Sequence, residues 1–370
     1  MDTLTHSLIG AISARACTEN RSRSYLLVAA LAAAFPDIDY LLFWLNPYQF
    51  ITEWHRGPTH SLLLLPIWAL LLSVLFYLPM RRRASFMTLF LLCSLGLLSH
   101  IFADCITLYG IQLFAPISDQ RYALNLAFDM DLWITLIALM PLLTVFQYRT
   151  GAVLSLLLIG CYLGFLYYGQ QIAIQTIEDR IKLEKIYPHK IYALPQPLVP
   201  WHWKLIIDRY GHYQIAHLSL HGKASDLLRT ALTDSISKSQ SNIDQRPDET
   251  NKTNFKPAFG YYRDRNLLVW RRLPKFSADK KQAIEVKAIW DHPKLTQFRK
   301  FAKLPVLYRI DQNADSTCLW FTDLRYVLPI IGAPFRYGLC RQDKAQPWKL
   351  YRLKRGSINE REPINAPLHL

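Results

Sequence analysis

Two histidines flank a Gly-Pro turn just before a long apolar run, in the stretch Trp54-His55-Arg56-Gly57-Pro58-Thr59-His60-Ser61. The turn can fold the imidazoles of His55 and His60 toward one point, as two nitrogen ligands of one cation require. Arg56 lies between them, and its planar guanidinium can hold a phosphate oxygen through paired hydrogen bonds. This stretch therefore predicts a metal site with a phosphate-binding cation beside it.

The other histidines and several acids of the first half fall at the ends or breaks of apolar segments. His100 and Asp104 are four residues apart, which puts both side chains on one face of a helix. In Phe35-Pro36-Asp37-Ile38-Asp39 the proline disturbs the helix, so both carboxylates can converge, or one can bind an ion while the other orients a ligand. The sequence leaves open which carboxylate does which. We predict catalytic roles for Asp37 and Arg56, and metal binding by His6, Asp39, His55, His60, His100, Asp104 and Asp131.

A mixed set of imidazoles and carboxylates, with no well-placed thiolate, suits Zn²⁺ best and Mn²⁺ next. Such an ion makes a bound water a nucleophile at neutral pH. Ionisable groups in membrane segments are costly and usually mark functional sites. We therefore expect a metal-dependent hydrolase that acts on a phosphoester or a lipid-linked substrate.

Charge and hydropathy divide the 370-residue chain into two halves. Residues 1–169 carry nine arginines, no lysine and nine acids, so the formal net charge of +15 falls entirely on residues 170–370. Apolar runs of spanning or near-spanning length occupy residues 3–16, 25–45, 61–80, 85–103, 131–146 and 152–168. The sequence predicts a mainly α, polytopic membrane helix bundle of about six segments (1–169), followed by a soluble, basic, β-rich α+β domain (170–370).

The arginines of the first half predict the orientation of the bundle. They cluster at positions 15, 21 and 23, at 81–83 and at 149, and these loops alternate with the apolar segments. Cytoplasmic loops are enriched in basic residues. We therefore expect these loops in the cytoplasm and the soluble domain outside it, in a bacterial inner membrane or its equivalent. Every candidate ligand then falls at the opposite, outer face.

The second half contains short aromatic runs with strand-like alternation. Trp201–Arg209 and His212–Leu220 are separated by Tyr-Gly, which is typical of a β-hairpin. Further strands are predicted at 266–272, 306–310 and 318–327, and a polar loop at 230–255. Cys318 and Cys340 flank the last predicted hairpin, and a disulfide and two free thiols stay open as alternatives. No nucleic-acid motif accompanies the basic charge, so we expect an anionic lipid surface beside this domain.

Taken in order, several motifs resemble the YdjM-like family of membrane-bound metal-dependent hydrolases. The motifs are Met1-Asp2-Thr3-Leu4-Thr5-His6, Phe35-Pro36-Asp37-Ile38-Asp39, His55-Arg56-Gly57-Pro58-Thr59-His60-Ser61, His100-Ile101-Phe102-Ala103-Asp104 and Pro116-Ile117-Ser118-Asp119-Gln120-Arg121. The resemblance covers about residues 1–135 and implies a bound metal and hydrolysis. An acid that members often carry near the position of Asn125 is absent here, whereas Asp131 matches. The order of the histidines and acids is also similar, more distantly, to zinc-dependent phospholipase C.

Two other functions would use the same residues. A transporter of metal ions or protons needs ionisable groups along a path through both halves of the membrane, and the arginine-bearing half is nearly empty of histidine and acid. A structural or regulatory membrane protein would use the ion only to tie its helices together. Membrane lipid is the expected partner in each case, and the sequence leaves the substrate, the metal count and the oligomeric state open.

Overall fold

The computed structural model describes residues 1–18, 23–143, 149–221, 262–312, 316–328, 333–342, 346–354 and 360–364. The chain forms two compact units. The first comprises Met1–Gln171 and Pro195–Pro200, and the second comprises Ile172–Leu194 and Trp201–Leu370. The predicted boundary between residues 169 and 170 falls close to this division. The predicted polar loop at 230–255 lies outside the described residues.

The first unit is helical, as its apolar segments predict. Its helices are α1 (Thr3–Cys17), α2 (Arg23–Ala34), the short α3 (Pro47–Gln49), α4 (Leu65–Met80), α5 (Phe86–Cys105), α6 (Leu132–Leu143) and the part of α7 (Arg149–Glu184) up to Gln171. A 3₁₀ helix, Phe35–Trp44, continues α2, and a π turn, Phe50–Trp54, continues α3 before a 3₁₀ turn at Pro58–His60. Asp37, Asp39 and His60 all lie on these irregular pieces.

Three described helical stretches are long and apolar enough to cross a membrane: Arg23–Trp44, Phe86–Cys105 and Arg149–Glu184. A fourth results if Pro47–His60 and Leu65–Met80, which meet at 72°, form one broken span. The prediction of six segments is therefore not confirmed. The helix α1 has 15 residues, or about 22 Å at 1.5 Å per residue, whereas the hydrocarbon core is about 30 Å thick. The helix α6, with 12 residues, is shorter still.

Small residues hold α1, α2 and α5 close together. A Cβ on Gly96 of α5 would come within 2.5 Å of the Ala29 carbonyl oxygen, and a Cβ on Gly10 of α1 within 2.5 Å of the Ala33 Cβ. Ala29 and Ala33 of α2 are both fully buried. Small side chains let helix backbones approach closely where no hydrophobic force draws helices together. His6 and His100 lie one turn away from these glycines on α1 and α5, and the close packing holds both histidines near α2.

The arginine-bearing loops meet at one end of the first unit. The Arg149 Nε donates to the Ala16 carbonyl oxygen near the end of α1 (2.9 Å), and the Tyr25 hydroxyl donates to the Arg83 carbonyl oxygen (3.1 Å). The first turn of α1 and the last turn of α5, which carry candidate ligands, lie at the other end. The expected separation of basic loops from ligands is therefore found, while the face that meets the cytoplasm stays a prediction.

The second unit is β-rich. A four-stranded sheet contains β1 (Lys190–Pro195), β2 (His202–Arg209), β3 (His212–Ser219) and β4 (Arg271–Pro274), and a five-stranded sheet contains β5 (Pro305–Gln312), β6 (Thr317–Asp323), β7 (Tyr337–Arg341), β8 (Lys349–Leu353) and β9 (Arg361–Pro363). Strands are adjacent in chain order in both sheets. The helices α8 (Lys280–Trp290) and α9 (Thr296–Phe301) precede the second sheet.

The predicted hairpin is confirmed, with Arg209 opposite His212 across the Tyr-Gly turn. The strand predicted at 266–272 begins late, because a 3₁₀ turn occupies Arg265–Leu267 and β4 starts at Arg271. The strand predicted at 318–327 is shorter, because β6 ends at Asp323 and a 3₁₀ turn follows. Cys318 and Cys340 face each other on β6 and β7 and form a disulfide, which settles that alternative.

Candidate metal site

Four side chains from three separate elements converge at the end of the first unit opposite the arginine loops. The Nε2 atoms of His60 and His100 each lie 3.4 Å from Asp104 Oδ2. They lie 3.8 and 3.9 Å from Asp37 Oδ1. Ligands held at 2.0–2.2 Å in a tetrahedral zinc site are separated from one another by about 3.3–3.6 Å. The four atoms are thus spaced nearly as the donors of one small divalent ion.

The local structure explains why these side chains meet. His100 and Asp104 are one turn apart on α5, so they share a helical face as predicted. Asp37 lies on the 3₁₀ helix that follows α2, where Pro36 occupies a position near the helix start. His60 ends the 3₁₀ turn that begins at Pro58.

A second group shares two of these residues. The Nε2 atom of His6 lies 3.2 Å from Asp104 Oδ1, and the imidazoles of His6 and His100 stack with centroids 3.6 Å apart. The ligand atoms of His6, His100 and Asp104 lie within 4.8 Å of one another, as do those of Asp37, His60 and His100. Because Asp104 presents a different oxygen to each side, the two groups could hold one ion or two.

The chemistry of these donors fits a divalent cation. Four buried imidazole nitrogens of the two groups make no hydrogen bond within the described residues: His6 Nδ1, His6 Nε2, His60 Nε2 and His100 Nε2. A buried polar atom without a hydrogen bond costs about 1–3 kcal/mol, so a cluster of four is a strong reason to expect a further partner. Neutral imidazole nitrogen and carboxylate oxygen are the donors of Zn²⁺ and Mn²⁺ sites. The two buried groups could therefore hold a metal ion.

Asp39 and His55 were predicted as ligands, but the structure places them beside the two groups. His55 Nδ1 lies 3.2 Å from Asp39 Oδ2, and the same oxygen accepts a hydrogen bond from the Arg56 backbone N–H (2.9 Å). Asp39 Oδ2 also lies 3.7 Å from His60 Nδ1. Of the two neighbouring carboxylates, Asp37 thus faces the ion-binding atoms and Asp39 supports the histidines.

The imidazole of His55 lies in an aromatic box. The rings of Tyr40, Phe50 and Tyr109 have centroids 4.9, 4.7 and 5.1 Å from it. Its side chain is 10% exposed, whereas the side chains of His60 and His100 are 0% exposed. His55 is therefore a histidine at the rim, oriented by a carboxylate, and it belongs to neither group of clustered ligand atoms.

Arg56 points into the site and contacts a candidate ligand. Its Nε lies 2.9 Å from Asp104 Oδ2, and its Nη1 donates to Thr107 Oγ1 (2.8 Å) and contacts Asp129 Oδ1 (3.5 Å). The backbone of Arg56 is left-handed (φ 58°), a conformation that side-chain-bearing residues seldom adopt. The predicted phosphate-binding arginine is thus engaged with an aspartate of the site.

Asp131, which was predicted as a ligand, belongs to neither of the two groups. Its Oδ1 accepts hydrogen bonds from the backbone N–H groups of Trp133 and Ile134, and its Oδ2 accepts from the Tyr162 hydroxyl (3.0 Å). These bonds cap the start of α6, as Asp often does.

Sequence reasoning missed two hydroxyl-bearing residues of the site. The Thr3 hydroxyl donates to Asp37 Oδ2, and Thr107 bridges Arg56 to the Asp104 backbone carbonyl (2.9 Å). Thr3 is part of the opening motif, but a threonine near a helix start is usually a cap, and Asp2 has that role here. No sequence signal marks Thr107.

Comparison with known proteins confirms the family resemblance for the first half. Residues 1–173 match the family described as YdjM inner membrane protein. A curated relative from Bacillus subtilis (strain 168), described as "Uncharacterized protein YfhP", is 31% identical over an alignment that covers 35% of this chain and 42% of the relative. The chain thus spans less than half the length of that relative.

The family match and the apolar helices together identify the first half as a membrane region. No solved structure matches the chain. The more distant similarity to zinc-dependent phospholipase C therefore has no support beyond the order of the histidines and acids.

Proposed function

We propose that the protein is a membrane-bound, metal-dependent hydrolase of phosphoesters. The observation that carries this proposal is the spacing of His60 Nε2, His100 Nε2, Asp37 Oδ1 and Asp104 Oδ2, whose cross-pairs are 3.4–3.9 Å apart. A buried group of this kind in a membrane span is costly to maintain, which favours a functional role.

In this proposal His60, His100, Asp37 and Asp104 hold the ion, and His6 completes the site or helps to hold a second ion. A bound Zn²⁺ or Mn²⁺ would supply a Lewis acid and an activated water. Arg56 fixes Asp104 through its Nε and balances the carboxylate charge, so we assign it a positioning role in place of phosphate binding.

His55 is the general acid or base of the reaction, and Asp39 orients it. The Asp39 carboxylate accepts from His55 Nδ1 and so fixes the tautomer in which Nε2 carries the lone pair. That nitrogen can accept a proton from water or return one to a leaving group. The partial exposure of the His55 side chain gives the proton a route to solvent.

A phosphoester substrate is favoured by one cation near the rim, Arg121. The Arg121 guanidinium lies over the Tyr109 ring, 5.1 Å from its centroid. Arg121 belongs to a loop and is partly exposed. Tyr109 also packs against His55. Arg121 therefore stands where the non-bridging oxygens or the head group of an anionic substrate would arrive.

The experiment is a screen of phosphomonoesters and phosphodiesters with detergent-purified protein supplied with Zn²⁺ or Mn²⁺. We expect turnover by the wild type that His55→Ala lowers by about 10²–10⁴, the usual range for a general acid or base, while its metal content is retained. Metal-replete wild-type protein that hydrolyses none of the esters would contradict the proposed function. Metal-dependent flux into liposomes would then favour the transporter alternative.

A further inference from the structure

We infer that the substrate is a lipid phosphoester that reaches the site sideways from the bilayer, between the first turn of α1 and the 3₁₀ helix Phe35–Trp44. The inference deepens the proposed function and rests on it for the chemistry. It concerns the route and the class of substrate, which depend on the surroundings of Asp37.

Access to the ligand cluster is asymmetric. The side chains of His6, His60 and His100 are 0% exposed and that of Asp104 is 1% exposed, whereas that of Asp37 is 6% exposed. Among these five candidate ligands, only Asp37 thus reaches the edge of the protein. A substrate that meets the ion without unfolding the bundle would approach beside this carboxylate.

A hydroxyl of α1 contacts Asp37 at this edge. The Thr3 Oγ1 donates to Asp37 Oδ2, and Thr3 itself is exposed on the first turn of α1. This bond joins two elements that are far apart in sequence, so it marks the seam between α1 and the 3₁₀ helix. The next residue on α1, Leu4, is 63% exposed.

One exposed face of the 3₁₀ helix is an apolar stripe. Residues three apart share a face of a 3₁₀ helix, and Ile38, Leu41 and Trp44 form such a stripe with exposures of 48%, 65% and 83%. The stripe belongs to the candidate span Arg23–Trp44, and Trp44 stands at its end, where tryptophan marks the membrane interface. A ligand carboxylate next to an apolar, membrane-exposed stripe suits a molecule with a phosphate group and a hydrocarbon chain.

The competing route is polar. It passes His55 and Arg121 and would admit a water-soluble phosphoester without contact with the stripe. The two routes make different predictions about chain length, because only the lateral route places the hydrocarbon chain of the substrate against Ile38 and Leu41.

The test compares Ile38→Gln/Leu41→Gln with Leu27→Gln/Leu31→Gln, in full-length protein in nanodiscs. The control leucines lie on the same span and are similarly exposed, at 58% and 47%, but they precede the site by more than one turn. With a series of phosphatidic acids of increasing chain length, we expect the stripe variant to lose at least tenfold in kcat/KM for long chains. We expect the control variant to stay within twofold of wild type.

Equal losses in both variants, or a wild-type kcat/KM that does not rise with chain length, would overturn the inference. Turnover of p-nitrophenyl phosphate separates the two proposals, because wild-type protein that hydrolyses this ester but no lipid contradicts lateral entry alone. A second readout is independent of turnover. A phosphatidic acid with a diazirine next to its phosphate should label Thr3 or Leu4, and excess unlabelled phosphatidic acid should suppress the label. Labelling that no competitor reduces would also contradict the inference.

Discussion

His100 Nδ1 lies 2.6 Å from the Ala33 carbonyl oxygen. A carbonyl oxygen only accepts, so Nδ1 carries the proton, and the lone pair of Nε2 is left on the side of Asp37 and Asp104, where it could bind a cation together with them. A backbone carbonyl that orients a ligating histidine is a common support of metal sites. The contact exists because α5 packs closely on α2, so the helix packing and the chemistry of the site are linked.

Adding a side chain at Gly96 should therefore disturb the metal site from a distance. In Gly96→Leu the new side chain meets the Ala29 carbonyl oxygen at the Cβ position, and we expect a loss of about 1–3 kcal/mol in stability together with weaker metal binding. Gly160→Leu is the matched control, because nothing lies within 4 Å of a Cβ there. Thermal unfolding in detergent would measure the stability of the two variants, and a metal titration would measure their affinity. Equal losses in Gly96→Leu and Gly160→Leu would contradict the link between helix packing and the site.

Asp37 and Asp39 should respond differently to the same change. We expect Asp37→Asn to weaken zinc or manganese binding by at least about 100-fold, because it removes a ligand. Asp39→Asn should retain more of the affinity, with a loss of about 10–100-fold in affinity or activity, as is usual for a supporting carboxylate. Titration of the metal-free protein with each ion would measure the difference. A stronger binding defect in Asp39→Asn would mean that the two roles are exchanged.

Arg56 should matter most when no metal is bound. Its guanidinium is then a principal counter-charge of the buried Asp104 carboxylate, and removing one partner of a buried ion pair costs about 3–5 kcal/mol. We expect Arg56→Gln to lower the thermal stability of chelator-treated protein much more than that of metal-loaded protein. Arg56→Lys, which keeps the charge, serves as the control. Equal losses with and without metal would contradict this role.

Lys204 should make the second unit more stable at alkaline pH. Its Nζ is buried and donates to the carbonyl oxygens of Leu324 (3.1 Å) and Val327 (2.5 Å), and burial lowers its pKa to about 7. The unfolded chain holds this proton up to about pH 10.4. Between about pH 7 and pH 10 the unfolded state therefore binds more protons, and stability rises with pH.

Lys204→Met is the control for this rise. We expect the stability difference between wild type and Lys204→Met to shift in favour of wild type by a few kcal/mol from pH 7 to pH 10. Unfolding of the full-length protein at pH 7, 8.5 and 10 would measure the shift. A difference that stays constant, or that shifts the other way, would contradict the lowered pKa.

Much of the site could be predicted from the periodicity and the charge pattern of the sequence. The four-residue spacing of His100 and Asp104 requires only that the segment be helical. The arginine positions indicated which segment ends lie together, and the contacts of Arg149 and Arg83 agree with that arrangement. The count of six spans is not confirmed, because among the described residues α1 and α6 are apolar but have only 15 and 12 residues.

The remaining assignments depend on backbone detail that spacing does not encode. Asp37 and Asp39 are separated in role by the 3₁₀ geometry after Pro36, in which neighbouring residues point about 120° apart. Arg56 contacts Asp104 and Thr107 from a left-handed backbone position, and nothing in the residue type predicts that conformation. Asp131 is a helix cap, a role that its position next to an apolar run allows equally well.

The most direct test of the metal site is elemental analysis of detergent-purified wild-type protein beside the His60→Ala/His100→Ala variant. The matched control is His217→Ala, a histidine of β3 in the other unit. We predict one or two equivalents of zinc or manganese in wild type and in the control, and little metal in the double variant. Wild-type protein without stoichiometric metal after incubation with either ion, or a double variant that binds as much as wild type, would contradict the account.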